Sequence, residues 1–246
     1  EKLSSGLRIN RAADDAAGLS ISEGLKAQAS GLGVAARNAQ DGISVIQTAE
    51  GALSEIQDIL RRVRDLTVQA GNDSNNDDSR TAIGTEITAL GEELTRVAAS
   101  TNFNGIKLLD DTNASLTFHV GSGSEAAEDQ IDVTLTDFSG LGATIGALDV
   151  SSAASVLTSL GTIDDEIINV SSARSELGAA QNRFESTINS LNVARENITA
   201  ANSRIRDVDM ADEMVKFSAA NILSQAGVSM LAQANQSTQG ILKLLG

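Results

Sequence analysis

The chain of 246 residues contains no cysteine, proline, tryptophan or tyrosine, and its only aromatic residues are five phenylalanines. Without cysteine there is no disulfide, no thiolate nucleophile and no zinc–thiolate site. So few aromatic rings argue against a thick globular core, because large rings supply much of a core's buried area. An interior proline costs a helix about 3 kcal/mol, so the complete absence of proline favours long uninterrupted helices.

Charge and missing motifs exclude further functions. The formal net charge is −15, which disfavours binding to nucleic acid or to an anionic membrane. The single histidine, His119, cannot form a two-histidine metal site, and no apolar run reaches the roughly 18 residues of a membrane span. Paired aspartates such as Asp14–Asp15 and Asp77–Asp78 are typical of helix caps and turns. We predict that the chain is not an enzyme and uses neither a metal nor a cofactor.

Apolar residues in three segments repeat at alternating intervals of three and four, the a/d pattern of packed helices. The first seam consists of Ile46, Ala49, Leu53, Ile56, Leu60 and Val63. The second, after a polar turn, consists of Ile83, Ile87, Leu90, Leu94 and Val97. The third extends from Leu177 to Val208. We predict two antiparallel helices within residues 35–102 and one long helix over residues 163–208 that packs against them.

The segment between these helices, residues 103–162, loses the helical periodicity. Two of its runs alternate apolar and polar residues, and their apolar members are Leu116, Phe118 and Val120, then Ile131, Val133 and Leu135. Such alternation on both sides of a Gly-Ser turn predicts a β-hairpin within a short variable region. The predicted fold class is therefore mainly α, a long antiparallel helical rod like a coiled-coil bundle, with a small β-hairpin region at one end.

The two terminal segments complete the predicted organisation. Five glycines within residues 1–34 argue against one long helix, so we interpret this segment as an extended arm of the rod with short helical turns. Residues 209–246 form an amphipathic stretch that Gly227 and Gly240 weaken. We predict that this stretch is a helix that is stable only against a partner.

The helical segments also carry a resemblance to a known family. The matching strings are LSSGLRIN at 3–10, AADDAAGL at 12–19, ARNAQDGISVIQTAEGALSEIQDILRRVRDLTVQA at 36–70, NFNGIKLL at 102–109, ARSELGAAQNRFESTINSLNVARENITAANSRIRDVDMADE at 173–213 and ILSQAGVSMLAQANQSTQGILKLL at 222–245. In these strings, and in their order, the chain resembles bacterial flagellin, the subunit of the flagellar filament.

The resemblance implies a structural protein that polymerises with copies of itself into the extracellular filament used for motility. It also implies contacts with a flagellar export chaperone and with the cap proteins of the filament. Flagellins carry a preceding N-terminal helix that pairs with the C-terminal helix, and the sequence given begins inside that pattern. We therefore expect residues 1–246 alone to polymerise poorly. The short segment 103–162 implies a minimal flagellin that lacks large outer domains.

Recognition by innate immune receptors is a further implication of the resemblance. The positions that match the family's contact with the vertebrate Toll-like receptor for flagellin are Arg62, Leu66 and Glu86. Arg62 and Leu66 lie four residues apart and off the a/d seam, so we expect both to be exposed on one helix face. In flagellins, cytosolic NAIP-type receptors read the leucine-rich tail. Here that tail contains Leu242, Leu244 and Leu245, which also suit packing within a filament.

Two other functions have to be weighed against this one. A flagellar hook–filament junction protein shares the terminal helical architecture, but the flagellin-like strings at both ends and the short middle segment disfavour it. A helical signalling rod of another class, such as the cytoplasmic part of a chemoreceptor, needs a continuous antiparallel helical hairpin. The predicted β segment at 115–138 interrupts such a hairpin.

Overall fold

The computed structural model describes residues 1–110 and 112–245, with side chains described up to residue 234. Its elements in chain order are α1 (Lys2–Ser5), α2 (Ala16–Ala70), α3 (Asp77–Ser100), β1 (Asn102–Phe103), β2 (Ile106–Lys107), β3 (Ser115–His119), α4 (Ala126–Asp129), β4 (Gln130–Thr134), α5 (Leu141–Gly146), α6 (Ala153–Arg206) and α7 (Met210–Leu245). Helices α2 and α6 contain 55 and 54 residues. The predicted fold class, mainly α with a small β-hairpin, is confirmed.

Backbone contacts divide the chain into two compact units. The central unit is Gly31–Ala194, and the terminal unit consists of Glu1–Ser30 together with Arg195–Gly246. Both long helices, α2 and α6, contribute residues to each unit.

The core of the central unit is built from the predicted heptad seams. Every residue of the α2 seam is at most 1% exposed: Ile46, Ala49, Leu53, Ile56, Leu60 and Val63. Ile87 and Leu94 of α3 and Phe184 of α6 belong to the same buried cluster. The spacing of apolar residues therefore identified the buried face of each helix, because only residues three and four apart return to one side of a helix.

A second line of apolar residues on α2 is also buried, beside the a/d seam. Its members recur at multiples of seven: Val45, Ile59 and Leu66 are 4%, 8% and 2% exposed. A helix that packs against more than one neighbour buries a stripe wider than the a and d positions alone.

Strands β3 and β4 form the predicted hairpin, with Ser115 paired to Thr134 and His119 paired to Gln130. Ile131 and Val133 on β4 are 6% and 1% exposed, so this hairpin covers part of the core. Phe118 meets the ring of Phe184 edge-on, with 5.4 Å between ring centroids.

The N-terminal prediction is wrong for residues 16–34, which are helical rather than extended. Helix α2 begins at Ala16, where Asp15 Oδ1 accepts a hydrogen bond from the backbone N of Gly18 at 2.9 Å. A glycine inside a helix costs only about 1 kcal/mol relative to alanine. From Leu32 onward, α2 presents the buried face that continues along the rest of the helix, and packing of that face offsets the cost.

Helix α6 begins at Ala153, ten residues before the predicted start at residue 163. Ser152 and Ser155 form a reciprocal cap: the N of Ser155 donates to Ser152 Oγ at 3.2 Å, and the N of Ser152 donates to Ser155 Oγ at 3.1 Å. Such a cap starts a helix without any apolar repeat, so the heptad pattern did not show it.

A second, two-residue hairpin joins β1 to β2 and was not predicted. Its turn residues Asn104 and Gly105 have φ values of 50° and 82°. Positive φ at both central residues is the requirement of a type I′ turn, for which Asn-Gly is the preferred pair. The Asn-Gly pair was the signal that could have predicted this turn.

Replacing Asn76 with alanine is expected to lower the free energy of unfolding by about 1 kcal/mol. Asn76 is the N-cap of α3, and its side-chain oxygen accepts a hydrogen bond from the N of Ser79 at 2.8 Å. Urea denaturation followed by circular dichroism measures the change. Asn192→Ala, at an exposed position inside α6, is the control and should be neutral or slightly stabilising. Equal losses for the two variants would contradict the capping role.

In the terminal unit, the first residues of the chain are tied to the end of α6. Leu7 forms a β-bridge with Asp207, and the guanidinium of Arg8 donates to the backbone oxygen of Ile205 at 2.6 Å. Arg206 forms an ion pair with Glu23 of α2 at 2.8 Å. Hydrogen bonds therefore hold the loop before α2 against the end of α6, and the ion pair of Arg206 joins α6 to α2 itself.

Candidate recognition and assembly surfaces

Arg62 of α2 and Glu86 of α3 form an exposed ion pair on the central unit. Glu86 Oε1 accepts hydrogen bonds from Arg62 Nε at 3.1 Å and from Arg62 Nη2 at 2.6 Å. The side chains are 57% and 46% exposed. The structure thus brings together two of the three residues assigned to receptor binding, although they are 24 positions apart in sequence.

The heptad seams place both members of this pair. Arg62 lies between Leu60 and Val63, which are both fully buried, and Glu86 precedes the buried Ile87. Arg62 and Glu86 lie outside the buried stripes of their helices, and packing of α2 on α3 brings the two exposed groups together. The pair is therefore fixed by the core beneath it, because neither helix can rotate without exposing apolar residues.

Leu66, the third residue assigned to receptor binding, is only 2% exposed and belongs to the hydrophobic core. The expectation that it is exposed beside Arg62 is wrong. Leu66 continues the second buried line of α2, seven residues after Ile59, and a strict a/d assignment overlooks that line. The recurrence of apolar residues seven apart was the signal that could have predicted its burial.

Different ion pairs mark the side of α2 that contacts α6. Arg64 Nε donates to Asp164 Oδ1 at 2.7 Å, and this hydrogen bond is the main cause that raises the pKa of Arg64. Arg174 of α6 donates to Gln57 and reaches Glu50 at 3.5 Å. Among the described residues, Arg61, next to Arg62, forms its salt bridge within its own helix, with Asp58 at 2.9 Å. Each arginine of this region therefore has a distinct partner.

Helix α7 exposes a series of large apolar side chains. Val215, Ile222, Leu223, Val228, Met230 and Leu231 are each between 66% and 72% exposed. An apolar surface of this extent on one helix is typical of an interaction surface. The tail leucines Leu242, Leu244 and Leu245 lie outside the residues whose side chains the structure describes.

Within residues 1–110 and 112–245, the side chains described form no group of three His, Asp or Glu residues suited to hold a metal ion. In the same part of the chain, no helix combines the length and the apolar character that crossing a membrane requires.

Comparison with known proteins identifies the family of this chain. Residues 1–114 match the bacterial flagellin N-terminal helical region, and residues 160–245 match the bacterial flagellin C-terminal helical region. A flagellin of Halalkalibacterium halodurans is 51% identical over 246 residues, which cover all of this chain and 90% of that protein. A flagellin of Bacillus subtilis is 48% identical over 282 residues, and this aligned region covers 100% of this chain and 91% of that protein.

Solved structures agree with the sequence relatives. The crystal structure of Bacillus cereus flagellin superposes with a TM-score of 0.55 at 31% identity, over 63% of this chain and 88% of that one. A putative flagellar hook-associated protein from Vibrio parahaemolyticus superposes with a TM-score of 0.65 over 79% of this chain and 100% of that one, at 18% identity. At that identity the second likeness concerns the fold alone.

Proposed function

Because the chain belongs to the bacterial flagellin family, as a structural subunit that polymerises into the flagellar filament, we propose that its Arg62–Glu86 pair is the surface that the vertebrate Toll-like receptor for flagellin binds. The observation that carries the proposal is the exposure of this pair on two packed helices. The family assignment and the position of Arg62 and Glu86 within it support the choice of receptor.

The chemistry of the pair suits protein recognition. Glu86 Oε1 takes both hydrogen bonds from Arg62, which leaves Arg62 Nη1 as a donor and Glu86 Oε2 as an acceptor for a partner. Arginine is enriched at binding hot spots because its planar guanidinium both stacks and donates several hydrogen bonds. An interhelical pair also holds the arginine in place before binding, so less side-chain entropy is lost on association.

Leu66 has a supporting role in this proposal. It is buried one helical turn after Arg62, so it fixes the position of α2 against its neighbours and does not serve as an exposed anchor. Substitution of Leu66 would therefore reduce binding through loss of structure, and the direct contacts are assigned to Arg62 and Glu86.

The remaining proposed partners belong to export, assembly and a second immune pathway. The family assignment supports an extracellular filament used for motility, with an export chaperone and the filament cap proteins as helpers. The exposed apolar side chains of α7 support contacts with such partners before the subunit is incorporated. We assign Leu242, Leu244 and Leu245 to recognition by NAIP-type receptors and to packing in the filament, on family resemblance alone.

Arg62→Ala is expected to weaken binding to the receptor ectodomain roughly thirtyfold, since truncating a central hot spot typically costs about 2 kcal/mol. Arg61→Ala is the matched control, because Arg61 is similarly exposed but, among the described residues, forms its salt bridge within its own helix. Surface plasmon resonance measures both affinities, and circular dichroism confirms that each variant keeps its helical content. Wild-type affinity in Arg62→Ala would place the receptor site elsewhere while leaving the family assignment intact.

A further inference from the structure

We infer that Met210, Met214 and Met230 of α7 form an oxidation site, and that hydrogen peroxide reversibly blocks assembly of the subunit by converting them to sulfoxides. The three residues are the only methionines of the sequence. They are 44%, 50% and 71% exposed, so a small oxidant in solution reaches each of them. The inference rests on polymerisation of the chain into a filament and is independent of the proposed receptor contact.

The composition of the chain directs oxidation by peroxide to these three sulfur atoms. Thiols and thioethers are the side chains that peroxide oxidises most readily, and the sequence contains no cysteine, tryptophan or tyrosine. The central unit, Gly31–Ala194, contains no methionine, so mild peroxide treatment leaves its side chains chemically unchanged. Oxidation is therefore confined to one helix of the terminal unit.

The reaction at each methionine is the transfer of one oxygen atom. The thioether sulfur attacks an oxygen of hydrogen peroxide, an S–O bond forms and the O–O bond breaks. The sulfur loses two electrons, and the departing hydroxide takes the proton of the transferred oxygen and leaves as water. The product, methionine sulfoxide, is polar and chiral. Methionine sulfoxide reductases return it to the thioether with electrons from a thiol.

The sulfur atoms are distributed over both sides of α7. Met210 and Met214 are four residues apart and share one face of the helix. Met230 follows Met214 by 16 residues, or about four and a half turns, so it lies on the opposite side. A partner that covers either side of α7 therefore contacts a methionine.

On both sides, the methionines lie among other exposed apolar residues. Phe217 follows Met214 by three residues and is 53% exposed. On the opposite side, Leu223 precedes Met230 by seven residues, or two turns, and is 72% exposed. A helix that is apolar on more than one side is typical of a buried position. Assembly that covers α7 therefore moves the sulfur atoms from water into an apolar contact.

A sulfoxide in such a contact opposes assembly. Methionine suits an adaptable apolar contact because its side chain is unbranched and its sulfur is polarisable. On the free subunit, water satisfies the sulfoxide oxygen, whereas an apolar contact offers that oxygen no donor. Burying a polar group without a hydrogen bond is unfavourable, so oxidised subunits stay unassembled. The same oxygen costs the fold of the free subunit little, since the three side chains are already exposed there.

A polymerisation assay on oxidised subunits tests this inference. Filaments from flagellated cells are dissociated, and the subunits are treated with hydrogen peroxide, freed of it with catalase and seeded with untreated filament fragments. We expect the critical concentration to rise roughly tenfold or more. The two methionine sulfoxide reductases, one for each sulfoxide epimer, should restore it in the presence of dithiothreitol. Normal polymerisation of subunits in which peptide mass spectrometry finds all three sulfoxides would overturn the inference.

The matched control is a variant that combines Met210→Leu, Met214→Leu and Met230→Leu. Leucine keeps the volume and apolar character of methionine and removes the sulfur. We expect this variant to polymerise normally both before and after peroxide treatment. An equal loss of polymerisation in the treated variant and the treated natural chain would assign the effect to other groups and reject the inference.

Two measurements on the natural chain keep the test decisive if the triple variant assembles poorly. Intact filaments should yield much less sulfoxide at the three positions than free subunits, because assembly covers α7, and equal yields would contradict this. Circular dichroism and receptor affinity of oxidised subunits should be unchanged, since the Arg62–Glu86 pair lies in the unit without methionine. A loss of helical content that parallels the loss of polymerisation would show general damage and reject the inference. Polymerisation is measured without the receptor, so failure of the receptor proposal leaves this result unaffected.

Discussion

Replacing Phe184 with alanine is expected to lower the free energy of unfolding of the central unit by about 3–5 kcal/mol. Phe184 is fully buried in α6, and its ring lies against the ring of Phe118 and the backbone of Gly42. A Cβ on Gly42 would be only 2.8 Å from the Phe184 ring, so the ring fills the space between α2 and α6 closely. Removing it leaves a cavity that two long helices cannot close without losing the rest of their seam.

Thermal and urea denaturation measure this loss, and Phe217→Ala is the matched control. Phe217 lies on α7 and is 53% exposed, so the same substitution there removes little buried area. A double-mutant cycle with Phe118→Ala should give a coupling energy of about 0.5–1.5 kcal/mol, as expected for an edge-on aromatic pair. If Phe184→Ala and Phe217→Ala unfold at the same midpoint, the assignment of Phe184 to the core is wrong.

The helical part of the fold could be predicted because its physical cause repeats in the sequence. Apolar residues return to one face of a helix every three or four positions, and nothing else in the chain repeats in this way. The register of the seam was therefore predictable residue by residue, from Ile46 to Val63 on α2 and from Leu177 to Leu191 on α6. The alternation that predicts β3 and β4 is of the same kind, with a period of two.

Features fixed by single contacts were harder to predict. The start of α6 depends on two serines that cap each other, and the start of α2 depends on one aspartate, so neither leaves a periodic signal. Glycines at Gly24 and Gly31 suggested an extended chain, but the stability of a helix depends mainly on the packing of its buried face. Local preference was outweighed by contacts that involve residues far away in sequence.

In the candidate site, too, the sequence predicts the positions that follow from the repeat of apolar residues better than those that depend on contacts between helices. The sequence predicted that Arg62 points away from the core, and the pairing with Glu86 follows once α2 packs on α3. The a/d pattern alone does not predict the burial of Leu66, because α2 packs against more than one neighbour. When a helix packs against two neighbours, a third position of each heptad is buried in addition to a and d.

Gly142→Ala is expected to destabilise the central unit by about 3 kcal/mol, toward the upper end of what overpacking costs. A Cβ on Gly142 of α5 would lie 2.2 Å from the backbone oxygen of Gly91 and 2.0 Å from Thr95 Oγ1, both on α3. The backbone oxygen cannot rotate away as a side chain does, so the whole of α5 has to move. Gly91 faces the same constraint, since its own Cβ would be 2.7 Å from the oxygen of Gly142.

The sharpest control for this prediction lies one turn further along α5. A Cβ on Gly146 would have no atom within 4 Å apart from its chain neighbours and the adjacent backbone of α5, so Gly146→Ala should be neutral or should stabilise the helix by up to about 1 kcal/mol. Urea denaturation of the two variants separates close backbone packing from a general need for flexibility in α5. If flexibility were the reason for both glycines, both substitutions would destabilise the protein alike. A large loss for Gly142→Ala without a loss for Gly146→Ala, from the same added methyl group one turn apart, is what direct contact between α3 and α5 requires.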